Sequence, residues 1–377
     1  GAGEAALPET WTARDHRWQT PLPGAGHSSP VLWGDRLFVT CADRKGNLTV
    51  LALNADTGKI EWQQDFPSGP TQGPKDNHPA SATPATDHRH VYVAWGNNKR
   101  TSLAALTHQG KLAWQCDLGP YKPGHGFGSS PIVHDGLVIL TCEHLGKDSI
   151  VAVDAASGEV RWRAPRKSRN TYATPLILER PGGLAEIIAV SYEDGITGLD
   201  PATGKLNWAQ DVFDKRHVEA SIASPILHRG LVLGTASWLS VRYETIAVRP
   251  GDAKIVGKPA FKLDRDAPLV PTPIAAGDLL FLWSDRGIVT CVDGKSGDVH
   301  WRERVEGSYY ASPVLADGRL FCPSREGDLL IVNATKKFEP AVRIPLGEGT
   351  HATPAIARGR LFLRTFDRVL CMEGKRK

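Results

Sequence analysis

The sequence predicts an all-β protein, an eight-bladed β-propeller of four-stranded antiparallel blades that is closed by an N-terminal strand completing the last blade. A Ser-Pro or Thr-Pro dipeptide followed by an apolar stretch recurs eight times in the 377 residues. The shortest interval between successive prolines, Pro273 to Pro313, is 40 residues and the longest, Pro30 to Pro84, is 54. Such a period is typical of one four-stranded blade. The dipeptides are Ser29-Pro30, Thr83-Pro84, Ser130-Pro131, Thr174-Pro175, Ser224-Pro225, Thr272-Pro273, Ser312-Pro313 and Thr353-Pro354.

Turn signals divide each repeat into four short apolar runs. The first repeat reads SPVLW, Gly34-Asp35, RLFVTC, a polar turn, LTVLAL, NADTGK and IEWQQDF, which we interpret as strands A to D. The proline begins strand A, where a missing backbone donor is tolerated, and glycine or aspartate supplies the turn conformations. Every repeat therefore predicts one antiparallel blade.

The segment from strand C to strand D carries the most specific pattern, a small residue, Asp or Asn, then Thr-Gly or Ser-Gly, and a tryptophan at the end. It reads ALNADTGKIEW, AVDAASGEVRW, GLDPATGKLNW and CVDGKSGDVHW, and ALTHQGKLAW is one residue shorter. This pattern resembles the tryptophan-docking motif of the pyrroloquinoline quinone (PQQ)-like repeat propellers, in which the indole packs between neighbouring blades. The fifth and seventh repeats lack the indole. The resemblance implies a docking role for Trp18, Trp62, Trp114, Trp162, Trp208 and Trp301.

The two chain ends are expected to share the eighth blade. The last repeat stops just after VLCMEG without an outer strand, and HRWQTPLPG around Trp18 has the pattern of an outer strand without a repeat. We therefore predict that residues 11–22 form the closing strand and that 370–377 are the C-terminal end with a basic tail. Residues 1–377 are then a single domain without exposed sheet edges.

Composition excludes some function classes. The formal charge of +4 comes from 45 basic and 41 acidic residues spread along the chain, which argues against nucleic-acid binding. No apolar run approaches the length of a membrane-spanning helix. We expect a monomer that is periplasmic or secreted, with any signal peptide absent from the sequence given, which begins at Gly1.

Loop length predicts which face of the ring is functional. The D-to-A and B-to-C connections emerge on one face, and several D-to-A connections are long and irregular, so we place binding on this long-loop face. The residue three before each blade proline should lie at the mouth of the central channel. Histidines of this set and of adjacent loops could bind a metal or a sugar-like or acidic ligand. The predicted binding residues are His27, His78, His125, Glu143, His144, Tyr172, His217, Glu219, Trp238, Asp285, Arg286, Tyr310, Arg325 and His351.

Three classes of function remain open. The first is a scaffold that binds a protein partner or a carbohydrate-like ligand, because the repeats resemble the BamB-like outer-membrane assembly lipoproteins. The second is a metal-dependent carbohydrate-active enzyme, a lyase or hydrolase, with His27, His78, His125 and His351 as candidate ligands. The third is a PQQ-dependent dehydrogenase. We expect no PQQ, because the adjacent cysteine pair that the resemblance to those enzymes implies is absent, whereas a metal ion remains an open cofactor. No catalytic nucleophile is identified.

Overall fold

The computed structural model describes most of the chain, and within it every blade is an antiparallel four-stranded sheet. The residue numbers it describes are 7, 12, 15–69, 78–97, 99–121, 126–144, 149–167, 170–215, 220–238, 242–251 and 258–373, with the side chains of 144, 170, 238 and 242 left out. No helix of this described part is long and apolar enough to cross a membrane.

Blades 1 to 4 follow one another along the chain, with strands A to D in order from the channel outward. Blade 1 contains β2 (Val31–Trp33), β3 (Arg36–Ala42), β4 (Leu48–Asn54) and β5 (Ile60–Phe66). Blade 2 contains β6 (Ala85–Thr86), β7 (His90–Gly96), β8 (Arg100–Thr107) and β9 (Leu112–Pro120). Blade 3 contains β10 (Ile132–His134), β11 (Leu137–His144), β12 (Ser149–Asp154) and β13 (Val160–Pro165), and β14 (Asn170–Thr171) also pairs with β11. Blade 4 contains β15 (Leu176–Glu179), β16 (Ala185–Ser191), β17 (Gly195–Leu199) and β18 (Leu206–Gln210).

Blades 5 to 8 complete the ring. Blade 5 contains β19 (Ile226–His228), β20 (Leu231–Trp238), β21 (Arg242–Val248) and β22 (Phe261–Leu263). Blade 6 contains β23 (Ile274–Ala276), β24 (Leu279–Trp283), β25 (Ile288–Asp293) and β26 (Val299–Arg304). Blade 7 contains β27 (Val314–Ala316), β28 (Arg319–Pro323), β29 (Asp328–Asn333) and β30 (Val342–Pro345). Blade 8 contains β31 (Ala355–Ala357), β32 (Arg360–Arg364) and β33 (Arg368–Glu373), with β1 (His16–Pro21) as its outer strand.

The predicted closure is confirmed, over a shorter strand than expected. β1 pairs antiparallel with β33, so that Trp18 lies opposite Cys371 and Pro21 opposite Arg368. The strand begins at His16 rather than at residue 11, and residues 11, 13, 14 and 374–377 lie outside the described part.

Burial explains the strand sequences. Strands B and C are nearly continuous apolar runs because both of their faces pack against neighbouring blades, as in β3 and β4, where Leu37, Phe38 and Leu51 are fully buried. Strand D forms the outer edge and alternates, so β5 exposes every second residue up to the buried Phe66. The core is a set of apolar clusters, each filling the wedge between two adjacent blades.

The recurring Ser/Thr-Pro dipeptide forms a ring of hydrogen bonds around the channel. The amide of Ser29 donates to the hydroxyl of Thr83 of the next blade at 2.9 Å, and the same bond recurs at seven of the eight junctions within the described residues. At the closure, the amide of Thr353 donates to Ser29 Oγ at 3.0 Å. This bond explains why the residue before each proline is Ser or Thr, because its hydroxyl accepts a hydrogen bond from the amide of the equivalent residue in the preceding blade.

The indoles join neighbouring blades on the outer side. The indole N–H of Trp18 donates to Ala55 O at 3.1 Å, and those of Trp62, Trp114, Trp162 and Trp301 make the equivalent bond to the C-to-D turn of the following blade. The glycine of the C-to-D turn is required for two reasons, its backbone conformation and the closeness of the indole. Gly58 has φ 71°, and a Cβ there would stand 2.5 Å from the Trp18 ring.

Three described seams depart from this arrangement, and two of them follow from the missing indoles of the fifth and seventh repeats. In blade 5 the register places Phe261 opposite Ala247, the tryptophan position, and its ring packs under Gly297 of blade 6. In blade 7 the same position is occupied by Val342, opposite Ile331. The Trp208 indole differs in another way, since its N–H reaches the Glu186 carboxylate of its own blade at 3.1 Å.

Candidate functional site

The structure brings three predicted histidines together at the channel mouth. His27 lies in the loop between β1 and β2, His78 in the loop between β5 and β6, and His351 in the loop between β30 and β31. The rings of His27 and His351 stack with centroids 4.2 Å apart, and the His78 ring meets His27 edge-on at 5.6 Å. Ring closure is the cause, because it makes blades 8 and 1 neighbours.

Blade 7 adds two further predicted residues to this group. The guanidinium of Arg325 lies 4.2 Å over the Tyr310 ring, and its Nε donates to His351 Nε2 at 3.2 Å. The Tyr310 ring in turn contacts His351 at 4.8 Å. Together with His27 and His78 these side chains form what we call the mouth cluster.

Two members of the site, Phe366 and Arg364, were not predicted from the sequence. The Phe366 ring stands edge-on to His27 at 5.5 Å and to His351 at 5.3 Å. Arg364 is fully buried at the end of β32, close enough to His27 and His78 for its charge to act on both.

Arg364 is held by neutral oxygens. Its Nη1 donates to Ser28 Oγ at 2.8 Å and to Thr40 O at 2.6 Å, and its Nε donates to Thr365 O at 3.1 Å. Its Nη2 is buried without a hydrogen-bond partner, and a Cβ on Gly26 would approach Nη2 to 2.5 Å. Burial lowers the pKa of Arg364 to about 10, while Cys41 and Glu348 attract its charge through space. Within the described part of the chain, this buried guanidinium therefore has no contacting carboxylate.

The surroundings keep the histidines neutral. Burial, followed by repulsion from His351, His78 and Arg364, lowers the pKa of His27 to about 2. Burial and Arg364 lower the pKa of His78 to about 4. At neutral pH both rings are therefore uncharged and can donate or accept a hydrogen bond.

The mouth cluster borders an open cavity of about 600 Å³. Of the described residues, one acidic side chain, Glu326, lines it, and the amide and hydroxyl of Ser308 donate to that carboxylate at 2.9 and 2.6 Å. The lining residues are Ala25, His27, His78, Ser308, Arg325, Glu326, His351 and Phe366.

Other predicted binding residues have structural contacts instead of facing this cavity. Glu143 is 1% exposed and accepts a bond from Arg166 Nε at 2.9 Å. The Asp285 carboxylate accepts the amides of Leu269 and Val270 at 2.7 and 3.0 Å, which anchors the loop before β23. Burial raises the pKa of both carboxyl groups.

Of the remaining predicted residues, some lie in described loops and others lie outside the described residues. The Tyr172 amide donates to Ser221 O at 2.9 Å in the loop after β14, and Arg286 follows Asp285 in the turn after β24. His125, His217 and Glu219 lie outside the described residues, as do the side chains of His144 and Trp238.

The cysteines and the candidate metal ligands are separate features of the described residues. All six cysteines are free thiols, and five of them are buried. Among the described residues no three His, Cys, Asp or Glu side chains are placed to hold a metal ion. The charge of Arg364 beside two of the candidate metal ligands, His27 and His78, also disfavours a cation there.

Comparison with known proteins identifies the family. A family model described as "Outer membrane protein assembly factor BamB" matches residues 9–180, 99–256 and 234–337. The chain belongs to this family of PQQ-repeat propellers. An outer membrane protein assembly factor BamB of Yersinia pestis is 25% identical over 297 residues, which are 76% of this chain and 60% of that protein. The chain thus covers less than two thirds of that relative.

Solved structures agree in fold. BamB from Moraxella catarrhalis superposes with a TM-score of 0.65 at 16% identity, covering 96% of this chain and 99% of that one. The quinohemoprotein alcohol dehydrogenase ADHIIG from Pseudomonas putida HK5 gives 0.57 at 15% identity, covering 93% and 67%. At these identities the likeness concerns the propeller alone.

Proposed function

We propose that this chain is an extracytoplasmic scaffold that binds a protein partner on its long-loop face, with the mouth cluster at the centre of the contact. Membership of a family described as an assembly factor supports the binding role and a location in the cell envelope. The open cavity of about 600 Å³ supports the position of the contact. In this proposal residues 1–377 act as one monomeric domain.

The observation that carries the proposal is the buried charge of Arg364, which does not itself line the cavity and would attract an anion there through space. A buried guanidinium is costly unless an anion compensates it, and here its donors reach only neutral oxygens. Arg325 adds a second positive charge at the edge of the cavity, while the carboxylate of Glu326 is already bonded to Ser308. We therefore propose that the partner presents a carboxylate to the mouth cluster, as an aspartate or glutamate side chain.

An acidic sugar is the second candidate ligand. The rings of His351 and Phe366 line the cavity and give it apolar faces beside the hydrogen-bonding nitrogens. Such a mixed surface suits a sugar ring as well as a side chain. The same guanidinium charge would then favour an acidic sugar over a neutral one.

Binding measurements with matched probes test the proposal. A fluorescently labelled glutamate-rich peptide should bind, its glutamine analogue should not, and galacturonate and galactose form the equivalent pair for the sugar candidate. Arg325→Ala and His351→Ala should each weaken binding of the acidic probe at least about tenfold, the range of a charge-assisted hydrogen bond. His88→Ala, at an exposed position on the other face, is the control. Equal binding of acidic and neutral probes, or equal loss in the His88 variant, would contradict the proposal.

A further inference from the structure

The seam between blades 7 and 8 is the one described seam at which neither an indole nor a phenyl ring occupies the docking position. Val342 occupies it in β30 and is 42% exposed. The usual docking target is also missing, because β33 ends blade 8 at Glu373 and its outer strand comes from the other end of the chain. A tryptophan at position 342 would therefore have no C-to-D turn to pack on.

A cleft of about 560 Å³ lies at this seam on the face opposite the mouth cluster. The A-to-B turn of blade 7 forms one wall, and the ends of β29 and β30 form the other. Its lining residues are Leu7, Asp317, Gly318, Arg319, Ile331, Asn333, Thr335, Pro340 and Val342.

Leu7 lies against the apolar wall of this cleft, and the open volume of the cleft lies beside it. It is 2% exposed and belongs to the cluster that packs β28 and β29 of blade 7 against β32 and β33 of blade 8. Among its neighbours in that cluster are Phe321, Ile331 and Leu361. Burying this leucine adds apolar contact to the one described seam that lacks an aromatic docking residue.

Both backbone groups of Leu7 are held by charged side chains. Its amide donates to Asp317 Oδ2 at 2.6 Å, and Arg319 Nη2 donates to its carbonyl oxygen at 2.6 Å. Charge-assisted bonds of this kind are about twice as strong as neutral ones. Asp317 and Arg319, which we call the main-chain clamp, bind the backbone, and the apolar cluster binds the leucine side chain. Backbone hydrogen bonds and a pocket for a side chain are together the requirements for binding an extended peptide.

We infer that this cleft is a peptide-binding site that recognises a leucine together with its main-chain amide and carbonyl, and that the chain's own Leu7 occupies it in this structure. Leu7 takes the place of the missing docking tryptophan and latches blade 7 to blade 8. The contact is noncovalent and comes from the far end of the sequence, so the same segment can bind in trans when the cis copy is displaced.

The test uses the full chain carrying Leu7→Asp. An aspartate at position 7 would be repelled by the negative charge of Asp317 and would be unfavourable in an apolar pocket. Residue 7 should therefore no longer bind in the cleft. We expect the thermal midpoint to fall by about 2–5 °C, in line with the loss of one buried leucine. Leu184→Asp, at a position that is 69% exposed, is the matched control and should leave the midpoint unchanged.

A labelled peptide of residues 3–11, GEAALPETW, then probes the empty cleft by fluorescence anisotropy. It should bind the Leu7→Asp chain at least about tenfold more tightly than the wild type, in which the cis segment competes. A peptide with aspartate in place of Leu7 should not bind. Adding Arg319→Ala to the Leu7→Asp chain should weaken binding of the unaltered peptide at least about fivefold.

Three results would overturn the inference. The first is an unchanged thermal midpoint for Leu7→Asp, and the second is equal peptide affinity for the wild type and the Leu7→Asp chain. The third is a peptide affinity that does not change when Arg319→Ala is added. If Leu7→Asp fails to fold, Leu7→Ala replaces it, because alanine keeps the main-chain clamp and removes only the apolar contact. Peptide affinity for the Leu7→Ala chain must then still exceed that for the wild type.

Discussion

Acidification should destabilise the fold through two histidines of the mouth cluster. The pKa of His27 is lowered to about 2, and that of His78 to about 4, from an ordinary value of 6.5. Below pH 6.5 the unfolded chain takes up protons at both positions while the native state does not. The free energy of unfolding is therefore at its full value above pH 6.5 and falls as the pH drops from 6.5 towards 4 for His78, and further for His27.

The size of the effect follows from the interval between the working pH and 6.5. At pH 5 that interval is about 1.5 pH units, which corresponds to about 2 kcal/mol for each imidazole at 1.36 kcal/mol per unit. Both rings retain some solvent exposure, which screens the charge. We therefore expect the two together to remove about 2–3 kcal/mol of stability between pH 7.5 and pH 5.

Urea unfolding midpoints of the wild type and of a His27→Gln/His78→Gln variant, measured across this pH range, isolate the effect. The double variant should lose much less stability on acidification, although packing changes lower its stability at pH 7.5. Glu143 and Asp285, whose pKa values are raised, act in the opposite direction but are common to both proteins and cancel. A His88→Gln control should keep the wild-type slope. The same slope in the double variant would refute the reasoning.

Two further predictions concern the ring itself. Ser29→Ala removes the acceptor for the Thr353 amide and should lower the free energy of unfolding by about 1 kcal/mol in urea denaturation; a loss within error would mean that water replaces the hydroxyl. Arg166→Met leaves the carboxylate of Glu143 buried and unpaired and should cost about 3–5 kcal/mol. Combining it with Glu143→Gln should recover most of that loss, and a double variant no more stable than the single one would contradict the ion-pair explanation.

The repeat and its closure could be predicted because short sequence patterns, the Ser/Thr-Pro dipeptide and the outer-strand pattern around Trp18, indicate them directly. The Ser/Thr-Pro period predicted the blades, and the structure adds its cause, since at seven of the eight junctions within the described residues the hydroxyl accepts a hydrogen bond from an amide of the preceding blade. The residue that replaces the missing docking tryptophan of blade 5 could not be predicted. Phe261 occupies that position only through the register of β22 against β21, and the segment before it departs from the repeat spacing.

The site was partly predictable for a different reason. Counting back from each proline placed His27, Tyr310 and His351 at the mouth, and ring closure made them neighbours. Arg364 was missed because it lies inside strand B, where side chains are expected to be apolar. Aligning that position across the strands would have revealed it as the only charged residue there. Its equivalents are Thr40, Ala94, Thr141, Val190, Thr235, Trp283 and Pro323.

Glu143 and Asp285 show the limit of assigning residues to a face by turn position. Both lie at the long-loop end of their blades, as the alternation of turns requires, yet one pairs with Arg166 and the other accepts two loop amides. A polar residue in a turn can point towards solvent or satisfy buried backbone donors. Sequence position does not distinguish these outcomes, because they depend on which loop lies across the turn.

The unusual features of this propeller concentrate where the chain ends meet. Arg364, the Ser29–Thr353 bond and the stacked His27 and His351 lie at the junction between blades 8 and 1, and Leu7 packs at the seam between blades 7 and 8. The ring closes beside this junction without a covalent link, through the pairing of β1 with β33 inside blade 8, so separation of these two strands is the route by which the ring would unravel. A carboxylate bound across the mouth cluster bridges the junction and should raise the free energy of unfolding by about 2.7 kcal/mol at a hundred times its dissociation constant. In this ring, binding at the mouth and stability of the closure are therefore expected to be thermodynamically coupled.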